Sequence, residues 1–158
     1  MPTNKLTELF DVAGQSPWLD NLKREYIVNG DFARVLASGI RGLTSNPTIF
    51  QKAIQGSALY DQQFDQSIQR GLSIEDTYWE LVVSDIVGAL DIFAPLYVSS
   101  SGLDGYVSVE VSPALAHDMA GTVNAAQELH DRVSRPNVMI KVPATQACIP
   151  AIEEIISR

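Results

Sequence analysis

A single lysine stands inside an apolar segment of the sequence, and it has the clearest potential for covalent chemistry. Lys141 lies between Ile140 and Val142, whereas the other three lysines have polar surroundings. Partial desolvation lowers the pKa of an amine, and a neutral amine can attack a carbonyl carbon to form a Schiff base. A lysine at a strand end can equally reach solvent or pair with a carboxylate. The pattern alone leaves both interpretations of Lys141 open.

Two carboxylates are candidates for moving protons beside such a lysine. Glu110 lies in a β-like segment, and Asp20 ends the short segment that begins at Pro17. Imine chemistry needs proton transfer during carbinolamine dehydration, carbon–carbon cleavage and imine hydrolysis, and carboxylates can supply it. The alternatives are an ion pair with Lys141 or an inward charge that serves solubility.

The segment Thr44-Ser45-Asn46-Pro47 allows a structural and a functional interpretation. A serine or asparagine before a proline is the expected start of a helix. The same position can bring the amide of Asn46 to a sugar hydroxyl. Asn46 and its neighbour Thr44 are therefore candidate binding residues.

Short strands that alternate with longer helices would position these residues. Such an order implies right-handed crossovers and a parallel sheet, and both an open doubly wound sheet and a barrel fit it. The predicted strands cover 17–20, 40–44, 106–111 and 138–142. The predicted helices cover 31–39 (capped by Asp31), 48–55, 57–71, 74–93 (capped by Ser73), a segment that begins at Pro113, and 149–156.

Polar residues recur on one face of these predicted strands. Ser108 and Glu110 alternate with valines in the third strand, and Gly42, Thr44 and Asn46 share a face of the second. A parallel strand covered on both sides is normally apolar throughout. Polar groups toward the carboxyl ends of the strands therefore indicate an active site, because parallel α/β folds build their sites there.

Composition limits the classes of function. The 158 residues are 46% hydrophobic, which suffices for a core and favours one domain. Eleven basic and 19 acidic residues give a net charge of −8, and no basic stripe is present, which argues against nucleic acid or an anionic membrane as a partner. The apolar stretch 81–90 is interrupted by Asp85, and the first residues lack the apolar core of a signal peptide. We therefore expect no transmembrane helix and a cytoplasmic location.

The sequence carries no pattern for a metal or redox cofactor. Its one cysteine, Cys148, excludes an internal disulfide framework and a multi-cysteine metal site, which fits a reducing compartment. His117 and His130 are 13 residues apart on one predicted helix and are better explained as surface or packing residues.

Four segments resemble, in order, the diagnostic motifs of the transaldolase family. Residues 42–50 resemble the first motif, and residues 107–113 resemble the strand with the catalytic glutamate. Residues 137–145 resemble the strand with the Schiff-base lysine, and the shorter segment 18–20 resembles the strand that supplies an aspartate. The sequences of these segments are most similar to those of the longer bacterial branch of the family.

The resemblance implies a cofactor-free (β/α)₈ barrel of the pentose phosphate pathway. Such an enzyme transfers a dihydroxyacetone unit from sedoheptulose 7-phosphate or fructose 6-phosphate to glyceraldehyde 3-phosphate or erythrose 4-phosphate. By motif, Lys141 would form the imine, and Asp20 would take the hydroxyl proton as the carbon–carbon bond breaks. Glu110 would assist imine formation and hydrolysis through water, Asn46 would bind the sugar, and Thr44 would line the same wall.

This sequence is shorter than the barrel of that family requires. An eight-stranded barrel needs about 250 residues, and this sequence supplies four strand–helix units. We therefore expect residues 1–158 to be the N-terminal part of a single barrel domain, without the later strands that bind the phosphate. We expect the isolated chain to be inactive and to self-associate through open barrel edges. A Schiff-base aldolase that releases free dihydroxyacetone is the alternative activity.

Overall fold

Four parallel strands form the centre of the computed structural model, which describes residues 4–158. The strands are β1 (Trp18–Asp20), β2 (Gly42–Thr44), β3 (Tyr106–Glu110) and β4 (Val138–Lys141), and each pairs only with its neighbours in sequence. The helices are α1 (Lys5–Ala13), α2 (Arg24–Val28), α3 (Asp31–Ala37), α4 (Pro47–Gln55), α5 (Asp61–Gln69), α6 (Ile74–Ser99), α7 (Met119–Val133) and α8 (Ile149–Ile156). Single 3₁₀ turns cover Ala58–Tyr60 and Pro113–Leu115.

The strand order distinguishes between the two architectures that the sequence allowed. The order β1-β2-β3-β4 follows the chain without reversal. A doubly wound sheet reverses its strand order at a switch point, whereas a barrel adds each strand beside the previous one. The predicted α/β class and parallel sheet are confirmed, and the strand order is the one found in a barrel.

One face of the sheet forms the hydrophobic core with α6. Leu43, Val107 and Val109 alternate with polar residues along β2 and β3 and are almost fully buried. Ile86 and Phe93 of α6 are also fully buried in this core. Full burial of each large aliphatic side chain stabilises the fold by about 1.5–3 kcal/mol, which makes α6 the main support of the sheet.

Helix α6 is longer than the sequence predicted. It begins as expected, since Ser73 Oγ accepts a hydrogen bond of 3.0 Å from the backbone nitrogen of Asp76. It continues beyond Phe93, through Pro95, to Ser99. Leu96, in the extra turn, packs against the core, and this packing offsets the hydrogen bond that proline removes.

By length and composition, α6 is the one helix in residues 4–158 that could cross a membrane. Its residues Val82, Ile86, Leu90 and Phe93 belong to the core that includes the sheet. Packing in the core accounts for the apolar character of these residues.

Several helix boundaries differ from the predictions, and α1 and α2 were not predicted. Asp31 is the first residue of α3 rather than its cap, because Gly30 occupies that position with a φ of 78°. Pro113 opens only a 3₁₀ turn, and α7 begins later, behind Asp118, whose Oδ1 accepts a hydrogen bond of 2.9 Å from Gly121. The predicted helix 57–71 is divided into a 3₁₀ turn and α5.

Helix α1 is attached at the amino-terminal end of the sheet. Arg41, just before β2, lies with its guanidinium carbon 3.5 Å from the ring centroid of Phe10 in α1. The same guanidinium donates a hydrogen bond of 2.7 Å to Asp104, just before β3. These contacts stabilise the end of the sheet that lies opposite the candidate site.

A buried polar cluster fixes α2 against α6. The Tyr60 hydroxyl donates to one carboxylate oxygen of Asp85 at 2.6 Å, and Arg24 Nε donates to the other at 2.7 Å. Burial raises the pKa of Asp85 despite these two donors. Burial, reinforced by the hydrogen bond to Asp85, raises the pKa of the Tyr60 phenol far above its ordinary value.

Candidate active site

The register of the sheet brings the predicted site residues onto one face. Asp20 of β1 pairs with Thr44 of β2, Thr44 pairs with Ser108 of β3, and Glu110 pairs with Lys141 of β4. Residues paired in this way point to the same side of a parallel sheet, away from the core with α6. The polar face predicted from sequence is therefore present, and we define it by these five residues.

Lys141 contacts two oxygen atoms, one at the end of β3 and one in the residue that follows β2. Its Nζ lies 3.1 Å from Glu110 Oε2 and donates to the backbone oxygen of Ser45 at 3.2 Å. The Lys141 side chain is 42% exposed, and that of Glu110 is 27% exposed. The ion pair that the sequence left open is thus present, and Lys141 is in reach of both a carboxylate and the solvent.

A cleft of about 480 Å³ lies at the carboxyl end of the first three strands. Asp20, Asn46 and Glu110 line it, together with the first residues of α4. Asp20 is exposed there, and no hydrogen bond from residues 4–158 engages its carboxylate. Lys141 adjoins the cleft through its contact with Glu110.

Asn46 has the structural role that its position before a proline predicts. Its Oδ1 accepts a hydrogen bond of 3.0 Å from the backbone nitrogen of Ile49 and caps α4, with Pro47 at the first helical position. In the described part of the chain, no hydrogen bond involves its Nδ2. The amide can therefore cap the helix with its oxygen and still offer two N–H groups to the cleft.

Two serines connect β2 and β3 beneath the site, and sequence reasoning did not include them among the site residues. The Ser45 hydroxyl donates to the backbone oxygen of Ser108 at 2.7 Å, and the Ser108 hydroxyl donates to Thr44 Oγ1 at 3.0 Å. Ser45 is 0% exposed and Ser108 is 4% exposed. The alternation of polar residues with valines in β3 could have indicated Ser108. The backbone oxygen of Ser45 could not have been predicted, because every residue type has one.

Lys52 is a third residue at the site that was not predicted from the sequence. It lies in the last turn of α4 and lines the cleft together with Asp20 and Glu110. Its polar surroundings in the sequence gave no reason to predict a reactive amine. It lies one helical turn after Thr48, however, and both residues line the cleft. The lining of the cleft therefore includes the amine of Lys52, whereas Lys141 lies beside the cleft.

The polar face depends on close contact between the first two strands. The indole of Trp18 lies across its paired residue Gly42, where a Cβ atom would be 2.3 Å from Trp18 Cε2. Only glycine leaves room for the ring, so this glycine is required for the packing of β1 on β2.

No group of three or more His, Cys, Asp or Glu side chains within residues 4–158 is placed to hold a metal ion. The groups present at the cleft are an amine, carboxylates, an amide and hydroxyls. Together they can form and protonate an imine and bind a hydroxylated substrate.

The sequence is similar to a known family over nearly its whole length. The family model for transaldolase/fructose-6-phosphate aldolase matches residues 17–158. A protein named transaldolase 2 from Nostoc punctiforme is 44% identical over an alignment of 158 residues, which covers 99% of this chain and 41% of that protein. A protein named transaldolase from Neisseria gonorrhoeae is 45% identical over an alignment of 154 residues, which covers 96% of this chain and 44% of that protein. A protein named transaldolase from Saccharopolyspora erythraea is 44% identical over an alignment of 158 residues, which covers 99% of this chain and 43% of that protein.

The matched region contains all four strands and every residue of the polar face. The chain spans about two fifths of the length of these curated relatives. It belongs to the transaldolase/fructose-6-phosphate aldolase family.

Proposed function

We propose that this chain is the imine-forming, N-terminal part of a transaldolase. The parent protein would transfer a dihydroxyacetone unit from a ketose phosphate to an aldose phosphate. The observation that carries this proposal is the contact of 3.1 Å between Lys141 Nζ and Glu110, next to a cleft that Asp20 and Asn46 line. The family match over residues 17–158 supports the same assignment.

The first half of the reaction begins at Lys141. The Lys141 ammonium first passes a proton through water to Glu110, and the neutral amine then attacks the ketose carbonyl carbon. A second proton moves from the nitrogen to the carbonyl oxygen, and the resulting carbinolamine loses its hydroxyl as water to leave the protonated imine. Glu110 supplies the proton for that hydroxyl through a water molecule, since its carboxyl group adjoins the amine. Asn46 binds a sugar hydroxyl through its Nδ2, and Thr44 lines the adjacent wall.

The second half breaks and remakes a carbon–carbon bond. Asp20 takes the proton of the substrate hydroxyl as the bond breaks, an aldose phosphate leaves, and the bonding electrons move into the imine to give an enamine. The enamine carbon then attacks the carbonyl of the acceptor, whose new hydroxyl receives the proton from Asp20. Water finally hydrolyses the new imine and releases Lys141. Asp20 is exposed at the cleft, and no side chain among residues 4–158 pairs with its carboxylate, which supports this role.

We infer that the four strands are the first half of an eight-stranded barrel domain. The sequential strand order and the site at the carboxyl ends of the strands support this inference. The chain covers about two fifths of its relatives, so the phosphate-binding residues would belong to later strands. The isolated chain would then have little activity, and the complete enzyme would act in the pentose phosphate pathway of the cytoplasm.

Enzyme kinetics on the parent protein test the proposal. We expect Lys141→Met to abolish transfer from fructose 6-phosphate to erythrose 4-phosphate, because no other group would form the imine. Lys23→Met, which removes a lysine outside the cleft, is the matched control and should retain activity. Transfer by the Lys141→Met variant at the wild-type rate would overturn the assignment.

An aldolase activity is the second candidate, because the matching family also includes fructose-6-phosphate aldolases. Such an enzyme hydrolyses the imine after cleavage and releases free dihydroxyacetone. Assays with and without an aldose phosphate acceptor separate the two activities. A transaldolase stops after one turnover without the acceptor, whereas an aldolase continues.

A further inference from the structure

Ser45 connects the reactive lysine to the neighbouring strand. Its backbone oxygen accepts a hydrogen bond of 3.2 Å from Lys141 Nζ. Its hydroxyl donates a hydrogen bond of 2.7 Å to the backbone oxygen of Ser108 in β3. Because Ser45 is fully buried, water cannot replace the hydroxyl contact if it is lost.

We propose that Ser45 is a positioning residue for the Lys141 amine, an inference that rests on the proposed imine function. The hydroxyl of Ser45 anchors the end of β2 to β3, and this anchor fixes the backbone oxygen that holds one N–H of the amine. Ser45 does not need to contact substrate for this role.

The geometry of the amine explains why one fixed oxygen matters. In the ion pair, the Lys141 ammonium directs one N–H at Glu110 Oε2 and a second at the Ser45 oxygen, which leaves the third N–H in the remaining tetrahedral direction. When that third N–H gives up its proton, the lone pair of the neutral amine points in the same direction. The four-carbon stem of lysine is flexible, and without both contacts the amine would sample other positions.

Single-turnover trapping on the parent protein tests the role of Ser45. The protein is mixed with saturating fructose 6-phosphate and sodium borohydride, and the rate of adduct formation on Lys141 is measured. We expect Ser45→Ala to lower this rate about tenfold to a hundredfold with little change in KM, because a small misplacement of a reacting group has that effect. Ser45→Thr keeps a hydroxyl and should restore the rate.

Ser67→Ala is the matched control for the loss of a buried serine hydroxyl. Ser67 is also 0% exposed, and its hydroxyl donates to Glu80 at 2.8 Å, outside the cleft. We expect this variant to trap at the wild-type rate. If Ser45→Ala fails to fold, Ser45→Cys keeps the side-chain volume with a much weaker donor and should show the same loss of rate.

The outcomes separate this inference from the function on which it rests. Wild-type protein that is never labelled on Lys141 would overturn both. Labelled wild-type protein with an unchanged rate in Ser45→Ala, or an equal loss in Ser45→Ala and Ser67→Ala, would overturn the role of Ser45 alone.

Discussion

At the scale of single residues, the two carboxylates of the site occupy different environments. Glu110 is paired with Lys141 and partly covered, whereas Asp20 is exposed at the cleft. A carboxylate beside the amine suits proton transfer during imine formation, and one further along the cleft suits proton transfer from the sugar. The proposed mechanism therefore assigns the two groups to different steps.

Replacing each carboxylate by its amide should block the reaction at a different point. Glu110→Gln should slow imine formation about a hundredfold or more, the effect of losing a general acid–base group. Asp20→Asn should still form the imine but should not cleave the carbon–carbon bond. Mass spectrometry after borohydride reduction then shows a six-carbon sugar phosphate adduct on Asp20→Asn and a dihydroxyacetone adduct on the wild type. A dihydroxyacetone adduct on Asp20→Asn would contradict its assignment.

Sequence reasoning identified the side chains of this site better than their contacts. Lys141 stood out because it interrupts an apolar strand, and Glu110 because it alternates with valines. The hydrogen bond from Lys141 to the backbone oxygen of Ser45 could not be predicted, because any residue type supplies that oxygen. Lys52 reaches the cleft through the position of α4, which the sequence around it does not reveal.

At the scale of elements, the turn between α6 and β3 depends on a glycine. Gly105 has a φ of +83°, and a Cβ there would lie 2.4 Å from the backbone nitrogen of Tyr97. Gly71 has the same φ, with nothing within 4 Å of such an atom. We expect Gly71→Ala to lower the free energy of unfolding by about 1–2 kcal/mol and Gly105→Ala by clearly more, since it adds an overlap with backbone. Urea denaturation of both variants measures the difference, and equal losses would contradict this account of the turn.

The cluster that joins α2 and α6 gives the protein a specific response to alkaline pH. The pKa of Tyr60 is raised by burial and by Asp85, so the folded protein keeps the phenol proton where the unfolded chain loses it. This contribution to stability is complete below the ordinary tyrosine pKa of about 10 and is lost as the pH rises above it. Tyr60→Phe should flatten the fall in unfolding free energy above about pH 10. Part of the fall should remain in this variant, because burial also raises the pKa of Tyr78. An unchanged slope in Tyr60→Phe would contradict the prediction.

Elements with strong periodicity or capping signals were predicted well, and those set by tertiary packing were not. The strands and the start of α6 follow from alternation and from the Ser73 cap. The end of α6 depends on the packing of Leu96, which permits a helix to continue through Pro95. Helices as short as α2, with five residues, are formed by their tertiary contacts rather than by an intrinsic signal.

At the scale of the whole molecule, β1 and β4 each have a partner strand on one side only within the part of the chain that the structure describes. The polar face and the exposed Met139 lie on the side of the sheet away from α6, where a closed barrel would enclose them. We infer that the rest of the barrel covers this face in the complete enzyme.

The isolated chain should therefore self-associate and have little activity. Exposed strand edges favour pairing with another chain, and the phosphate-binding residues would be missing. Size-exclusion chromatography with light scattering should give a mass larger than that of one chain, and transfer activity should be far below that of the parent protein. A monomer with full turnover would contradict the half-barrel interpretation.

The identity of the imine-forming residue is the central claim, and borohydride trapping of the parent protein with fructose 6-phosphate tests it most directly. Peptide mapping should locate one reduced dihydroxyacetone adduct on Lys141, which adjoins Glu110. An adduct on Lys52, the second amine at the cleft, or the absence of any adduct would contradict the claim.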